Sequence, residues 1–198
     1  MLRVWELSSG KNLRTINLGP DLPRSVARSP DDSSLAVAVE AARLILIDLE
    51  TFQQRDVPLP ISSASHLAFS PWGKQLSAAG GENRFCLVDV PTAKVVSSQR
   101  IAASQISGTA FTADQRLLAI ADQGQKCIHF WDHESSRVLF TLDTLQFRPQ
   151  EVVLSPDGRT LSAPTAEANP QGVSGILHWN LLPPRRDATA PQATTARE

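Results

Sequence analysis

The sequence has almost no net charge, few cysteines and no long apolar run. It contains 19 lysine and arginine residues against 20 aspartate and glutamate residues, so its formal net charge is −1. A surface that binds nucleic acid needs a basic excess to displace counterions, and this balance therefore argues against a nucleic-acid partner. Two cysteines are too few for a disulfide framework. No apolar run reaches the ~18 residues of a membrane span, so we expect no membrane partner.

The rest of the composition predicts a folded chain rich in turns. Hydrophobic residues make up 41% and charged residues 20% of the 198 positions, which is typical of a globular protein. Proline outnumbers glycine, 14 against 10, which favours many turns and little long helix. The first ten residues, MLRVWELSSG, contain no apolar core of a secretion signal, so we expect a cytoplasmic location.

An internal repeat is the most informative feature of the sequence. Four turn-like tetrads recur at spacings of 41, 42 and 43 residues: Ser29-Pro30-Asp31-Asp32, Ser70-Pro71-Trp72-Gly73, Thr112-Ala113-Asp114-Gln115 and Ser155-Pro156-Asp157-Gly158. A hydroxyl residue opens each tetrad, proline presets φ at the second position in most, and a small or polar residue closes it. This chemistry predicts type I turns.

A second series keeps the same register. In it an apolar residue or tryptophan precedes an acidic or amide residue, as in Trp5-Glu6, Ile47-Asp48, Val88-Asp89, Trp131-Asp132 and Trp179-Asn180. Three residues after each acid lies a hydroxyl, at Ser9, Thr51, Thr92 and Ser135. A carboxylate and a hydroxyl at this separation can bond backbone groups across a tight turn, so we expect each pair to close a turn.

Each unit of about 42 residues divides into four short runs, which predicts four strands. Between residues 67 and 98 the runs are 67–69, 76–79, 85–88 and 94–97. The second and third runs are apolar on both faces, whereas a fourth run such as 52–56 is polar. We therefore expect an all-β fold of four-stranded antiparallel meanders, each with buried inner strands and an exposed outer strand. This is the architecture of a propeller blade.

The two motif series, repeated in register, resemble the WD-repeat β-propeller family. The resemblance covers residues 1–182 and implies a β-propeller of about four to five blades with degenerate repeats. The Gly-His pair that often opens a family repeat is absent. Ala41, Glu82 and Gln125 stand where members often place an aspartate before the third strand. The composition changes after Leu182, and residues 183–198, rich in Pro, Ala, Thr and Arg, predict a flexible tail.

The strand count predicts an incomplete propeller. Residues 2–6 match a third strand and residues 13–17 a fourth, three full units follow, and the last unit has three strands. We expect a fragment of a larger propeller; an open arc, a small ring closed by strand 13–17, and a ring of two chains are the alternatives. An unclosed array would expose apolar residues at its two ends and self-associate through them: Leu2, Val4 and Trp5 at one end, and Val152, Leu154 and Leu161 at the other.

Candidate chemical residues are few. His129 and His133 are four apart in a predicted strand, so ~13 Å would separate them and one zinc ion could not bind both. The other two histidines are His66 and His178. Cys86 and Cys127 precede their acids by odd offsets and should be buried thiols on a face between blades. The sequence contains no glycine-rich phosphate loop or nucleophile elbow, so we expect no catalytic residue, cofactor or metal.

The resemblance implies a non-catalytic scaffold that binds a protein or peptide, within a larger bacterial multidomain protein. Trp72, which lies in a turn, is the candidate for an exposed aromatic contact, and packing within the turn is the alternative. A lactonase-like or quinone-cofactor propeller enzyme is the second hypothesis, with Glu40, Glu82 and Asp122 as its candidate residues; a calcium-dependent thermal shift would favour it. A non-functional gene fragment is the third hypothesis.

Overall fold

The protein is described by a computed structural model, which covers residues 1–101, 105–145, 147–155, 157–166 and 175–181. The predicted tail at 183–198 lies outside these described residues. A short hairpin comes first, formed by β1 (Leu2–Trp5) and β2 (Asn12–Ile16). We call it the terminal hairpin. Blade 1 follows, with β3 (Pro23–Arg28), β4 (Ser34–Val39), β5 (Arg43–Asp48) and β6 (Gln54–Pro58).

Three more sheets complete the described chain. Blade 2 consists of β7 (Ala64–Phe69), β8 (Gln75–Gly80), β9 (Arg84–Asp89) and β10 (Lys94–Arg100), with a 3-10 turn at Gly81–Asn83. Blade 3 consists of β11 (Ile106–Phe111), β12 (Leu117–Asp122), β13 (Cys127–Asp132) and β14 (Arg137–Asp143). Blade 4 consists of β15 (Arg148–Pro149), β16 (Val153–Leu154), β17 (Thr160–Ala166) and β18 (Gly175–Asn180).

Blades 1 to 3 are antiparallel meanders in which each strand pairs with its sequence neighbour. In blade 4 the first strand is split, and both β15 and β16 pair with β17, which pairs in turn with β18. The predicted all-β fold of four-stranded antiparallel blades is therefore confirmed. Among the described strands no sheet closes on itself, which fits an incomplete propeller.

The burial of the strands follows their polarity. Four residues in a row are buried in each of β4, β5, β8 and β9, and all six residues of β13 are buried. The outer strand β14 is mostly exposed. Since the inner strands are apolar on both faces, a neighbouring sheet must cover each face, and this requirement stacks the blades.

Four hydrophobic clusters join sheets that are neighbours in sequence. One links the terminal hairpin to blade 1, through Ile16 and Ile45 among others. A second links blades 1 and 2, and a third links blades 2 and 3, where Phe85 meets Trp131 edge to face with ring centroids 4.9 Å apart. The fourth links blades 3 and 4 and contains Trp179. The core is therefore a series of interfaces between blades.

The predicted end faces need correction. Val152 and Leu161 are buried in the cluster between blades 3 and 4, because blade 3 covers that face of blade 4. Leu2 and Val4 pack against blade 1 on the covered side of the terminal hairpin. The exposed apolar residues near the two ends include Trp5, Leu7, Leu13, Val153 and Ile176.

The ring-closing alternative also differs from the structure. The strand expected at 13–17 is β2, and it pairs with β1 in a separate two-stranded sheet. In blade 4 the third strand, β18, pairs with β17, and no described strand lies on its other side.

Candidate functional site

A groove with an exposed tryptophan lies between blades 2 and 3, at the end of the strands where the tetrad turns are. It encloses about 580 Å³. The turns that follow β7, β9, β11 and β13 all contribute to it, because alternate connections of a meander emerge at the same end. Its lining includes Trp72, Lys74, Asp89, Arg116, His133 and Glu134.

The tetrad turn holds Trp72 at the surface. The Gly73 N–H donates to the Ser70 carbonyl over 2.8 Å, and the Gln75 N–H donates to the Ser70 hydroxyl over 3.1 Å. These bonds close the turn on its inner side, so the residue at its third position points outward. The Trp72 side chain is 70% exposed. An exposed aromatic contact was the hypothesis for this residue, and the exposure it requires is present.

Charged side chains of both signs line the same groove as Trp72. Lys74 and Arg116 supply positive charge, while Asp89 and Glu134 supply negative charge. Hydrogen bonds from the Thr92 hydroxyl and N–H to Asp89 lower the pKa of that carboxyl, so it is ionised at neutral pH. The groove can therefore form an aromatic contact together with ion pairs to a ligand of mixed charge.

A second groove lies along the first strands of the blades and is more apolar. It encloses about 420 Å³ and is lined by side chains such as Phe69, Phe111, Val153 and Leu154. These residues come from β7, β11 and β16, which are the first strands of blades 2 and 3 and part of the split first strand of blade 4.

A buried group of three potential ligands lies at the opposite end of blade 3. The side-chain atoms of Asp122, Cys127 and His129 all come within 4.8 Å of one another. The His129 Nε2 atom is 3.5 Å from the Cys127 sulfur and 3.6 Å from Asp122 Oδ2. On its other side the imidazole Nδ1 lies 3.0 Å from the Thr141 hydroxyl. Burial, followed by the charges of Asp122 and Asp143, raises the pKa of the Cys127 thiol to about 11.

Strand register explains this grouping. Asp122 and Cys127 are opposite each other where β12 turns into β13, so their side chains share a face. His129 is two residues beyond Cys127 and lies on the same face, since side chains alternate along a strand. Its opposite neighbour in β14 is Thr141. From the sequence we compared His129 only with His133 and therefore missed this group. The pattern Asp-x4-Cys-x-His could have indicated it, because a hairpin with four residues between Asp122 and Cys127 places these two side chains opposite each other and His129 on the same face.

The other candidate residues do not join this group. His66 is half-buried, which lowers its imidazole pKa, while His133 is exposed in the Trp72 groove and His178 is exposed beside Ser162. Cys86 is a buried thiol between blades 1 and 2, and burial raises its pKa to about 12. The prediction of two buried thiols outside any disulfide is confirmed.

The acids named for an enzyme hypothesis are separated. Glu40 pairs with Arg24 on blade 1. Glu82 is 4.0 Å from Arg84 on blade 2, and its side chain is 61% exposed. Within the described residues, Asp122 belongs to a potential metal-ligand group and neither glutamate is part of it.

Comparison with known proteins supports the propeller interpretation. The chain matches no known protein-family profile. It is 30% identical over 139 residues to an uncharacterized WD repeat-containing protein of Synechocystis sp., covering 66% of this chain and 37% of that protein. It also resembles the solved structure of Kuenenia stuttgartiensis Hydrazine Synthase, with a TM-score of 0.70 and 20% identity. That match covers 80% of this chain and 46% of the other.

These likenesses place the chain among propeller-type structures. The match to Hydrazine Synthase shows the fold alone, because the sequence identity is 20%. The match to the Synechocystis protein supports a relationship to WD-repeat proteins. The chain spans less than half the length of either protein. In the described part of the chain, no helix has the length and apolar character to cross a bilayer.

Proposed function

We propose that this protein is a non-catalytic interaction scaffold, and that the groove between blades 2 and 3 binds an extended segment of a protein partner. The observation that carries this proposal is Trp72, which is 70% exposed above a groove of about 580 Å³. A tryptophan held outward by a hydrogen-bonded turn loses little conformational freedom on binding. Burying its large apolar surface against a partner therefore contributes strongly to affinity.

The charges around the groove indicate the chemistry of this segment. The lining contains Lys74 and Arg116 together with an ionised Asp89, so a ligand with both acidic and basic side chains would satisfy it. An apolar or aromatic side chain of the ligand would pack on Trp72. The similarity to a WD repeat-containing protein supports this proposal. Members of the WD-repeat β-propeller family, which the sequence resembles, are mostly binding scaffolds.

Selection of binding peptides from a random library against the full chain tests this function. We expect the selected peptides to lose roughly thirtyfold or more in affinity, measured by calorimetry, when Trp72 is replaced in Trp72→Ala. Trp5→Ala is the matched control, since Trp5 is also exposed but lies on the terminal hairpin. Its affinity should be unchanged.

Two results would contradict the groove as the binding site. One is a set of peptides whose affinity is the same for Trp72→Ala and the unaltered chain. The other is loss of binding in Trp5→Ala alone. A charge reversal, Lys74→Glu, adds a test of the chemistry: it should weaken binding of peptides with acidic side chains and, because Lys74 is exposed, leave the unfolding temperature of the chain nearly unchanged.

We further propose a cytoplasmic location, within a larger multidomain protein. Two buried thiols outside any disulfide support this location, because reducing compartments preserve thiols. Cell fractionation of the natural full-length protein tests it; recovery in an extracytoplasmic fraction would contradict it.

A further inference from the structure

We propose that Asp122, Cys127 and His129 form a binding site for a zinc-class divalent cation at the β12–β13 hairpin of blade 3. The site is independent of the Trp72 groove. The groove lies near Asp132, at the other end of β13, five residues and ~17 Å away along the strand. Failure of one proposal therefore leaves the other in place.

The spacing of the ligand atoms fits a tetrahedral ion. With Zn–S near ~2.3 Å and Zn–N or Zn–O near ~2.0 Å, the edges of the tetrahedron are about 3.3 to 3.6 Å. The Cys127 sulfur lies 3.5 Å from His129 Nε2, and Asp122 Oδ2 lies 3.6 Å from the same nitrogen. The sulfur–nitrogen edge already has the required length, and the oxygen–nitrogen edge is about 0.3 Å longer than the ideal. The third joins Cys127 to Asp122 and is no longer than 4.8 Å, so a small side-chain rotation closes it.

The imidazole of His129 is oriented for coordination. Its Nδ1 lies 3.0 Å from the Thr141 hydroxyl, and donation of the Nδ1–H to that oxygen leaves the lone pair on Nε2. Nε2 is the atom that faces both Cys127 and Asp122. Asp122 is held in place as well, because its Oδ1 accepts the N–H groups of Gly124 and Gln125 at 3.1 Å.

The same orientation argues against a nucleophilic triad. In a Cys-His-Asp triad the cysteine faces one imidazole nitrogen and the acid orients the ring through the other. Here the cysteine and the acid share Nε2, while a neutral hydroxyl lies at Nδ1. Three donors that converge on one point are the arrangement of a chelate.

The donor set selects the class of ion. One sulfur, one imidazole nitrogen and one carboxylate oxygen suit Zn²⁺, whereas Ca²⁺ and Mg²⁺ prefer oxygen ligands alone. All three side chains are buried, with exposures of 0% for Asp122, 7% for Cys127 and 9% for His129. A divalent cation would balance the thiolate and carboxylate that binding brings together. Thr141 is exposed at the rim of the site and marks the side from which an ion can enter.

A bound ion would cross-link the two strands of the β12–β13 hairpin. Asp122 ends β12 and Cys127 begins β13, so an ion bound to both residues connects the two strands where the hairpin turns. Coordination by His129 connects the ion to a position two residues further along β13. Binding to the folded chain alone raises its stability in proportion to the logarithm of the ion concentration over the dissociation constant.

Metal titration of the full chain tests the site. After treatment with a chelator, we expect the chain to bind one Co²⁺ or one Zn²⁺. The Co²⁺ complex should show the visible bands of tetrahedral cobalt and a near-ultraviolet thiolate-to-cobalt band. Zn²⁺ should raise the unfolding temperature, and Ca²⁺ should not. Cys127→Ser should abolish the thiolate band and weaken Zn²⁺ binding by roughly a hundredfold or more.

Matched controls separate this site from other thiols and imidazoles. Cys86→Ser removes the other buried thiol, and His133→Gln removes the histidine four residues away; both should keep the full cobalt spectrum. Thr141→Val removes the hydroxyl that positions His129 and should weaken Zn²⁺ binding about tenfold to a hundredfold. Thr141→Ser restores the hydroxyl and should restore the affinity. Because Thr141 is exposed, neither change should affect folding.

Three outcomes would overturn the proposal. They are the absence of stoichiometric Zn²⁺ or Co²⁺ binding to the unaltered chain, a cobalt complex without a thiolate band, and a thiolate band that Cys86→Ser removes. All three are measured on the unaltered chain or a variant outside the site, so they stand even if Cys127→Ser fails to fold.

Discussion

The two thiols occupy different positions in the array of blades. Cys86 lies in the core between blades 1 and 2, surrounded by apolar side chains. Cys127 lies at the start of β13 beside His129 and Asp122. Burial is the first cause of the raised pKa in both, to about 12 for Cys86 and about 11 for Cys127. A thiol with so high a pKa forms little of the reactive thiolate at neutral pH.

We therefore expect both cysteines to react slowly with a thiol reagent in the native, metal-free chain. The rates should be at least about a hundredfold below those of the unfolded chain, because both the thiolate fraction and access are reduced. Labelling followed by mass spectrometry, with chelator present, measures each rate. Rapid labelling of both residues without denaturant would show that neither is held in a buried site.

The fourth position of every tetrad has a positive φ, at Asp32, Gly73, Gln115 and Gly158. Two of these are glycines with different surroundings. A β-carbon at Gly73 would meet no atom closer than 3.7 Å, whereas one at Gly158 would lie 2.5 Å from the β-carbon of Ala113. Ala113 belongs to the corresponding tetrad turn of blade 3, so Gly158 allows blade 4 to approach blade 3.

Alanine at these two positions should therefore have unequal effects. Gly73→Ala should cost about 1 kcal/mol of unfolding free energy, from the left-handed backbone alone. Gly158→Ala should cost about 1 to 3 kcal/mol more, because it adds a clash between blades. Chemical denaturation of both variants measures the difference. Equal destabilisation would contradict the close packing of the two turns.

At the scale of the strands and turns, a carboxylate and a hydroxyl close the connections after β1, β5, β9 and β13. The Thr51 N–H donates to Asp48 over 2.7 Å, and the Thr92 N–H donates to Asp89 over 2.9 Å. The Ser135 hydroxyl donates to Asp132 over 2.6 Å, and the Ser9 hydroxyl donates to Glu6. The predicted pairing is confirmed in all four turns. It lowers the pKa of the three aspartates.

This lowering has a definite consequence for acid stability. A carboxyl whose pKa is lower in the folded than in the unfolded chain stabilises the fold above its unfolded value of 3.8. That stability is lost as the pH falls through the folded value. The hydroxyl of Thr92 is the largest cause of the shift at Asp89, followed by its N–H.

Thr92→Val should therefore destabilise the chain at neutral pH, and its effect should shrink as the pH falls below 3.8 towards the lowered folded pKa of Asp89. Thr92→Ser keeps the donor and should behave like the unaltered chain, since serine fills the same role at Ser135. Denaturation of the three proteins across pH measures the trend. A destabilisation by Thr92→Val that does not change with pH would contradict an electrostatic role for this hydroxyl.

At the scale of the whole molecule, the described sheets form an open series with a hairpin at one end and an unpaired edge at the other. β18 pairs with β17, and no described strand lies beyond it. Ile176 on β18 is 55% exposed, and Trp5 on the terminal hairpin is 50% exposed. Exposed apolar side chains beside a strand edge favour association between chains.

We expect the chain to self-associate as its concentration rises, and Ile176→Lys to reduce this association. Val96→Lys is the matched control, because Val96 is 57% exposed but lies on the outer strand of blade 2. Sedimentation velocity over a range of concentrations measures both. A stable monomer at high concentration would contradict association through the edge of blade 4.

Local chemistry alone predicted much of the fold. Hydroxyl, proline and aspartate side chains form turns through bonds to residues a few positions away, so the repeat and its register could be seen in the sequence. Strand polarity also predicted which strands are buried, because a run that is apolar on both faces needs two neighbours. The thiol Cys86 is buried for this reason.

Tertiary structure decided which faces are covered and which side chains meet. Val152 and Leu161 look like open-face residues in the sequence, but blade 3 covers them, since burial depends on the neighbouring sheet. His129 meets Cys127 and Asp122 because the hairpin register places Cys127 opposite Asp122. The distance along one strand excluded a shared metal ion between His129 and His133. It could not indicate that His129 contacts a residue of the neighbouring strand. The sequence therefore determined the strands and turns, and the packing of blades and the strand register determined the sites.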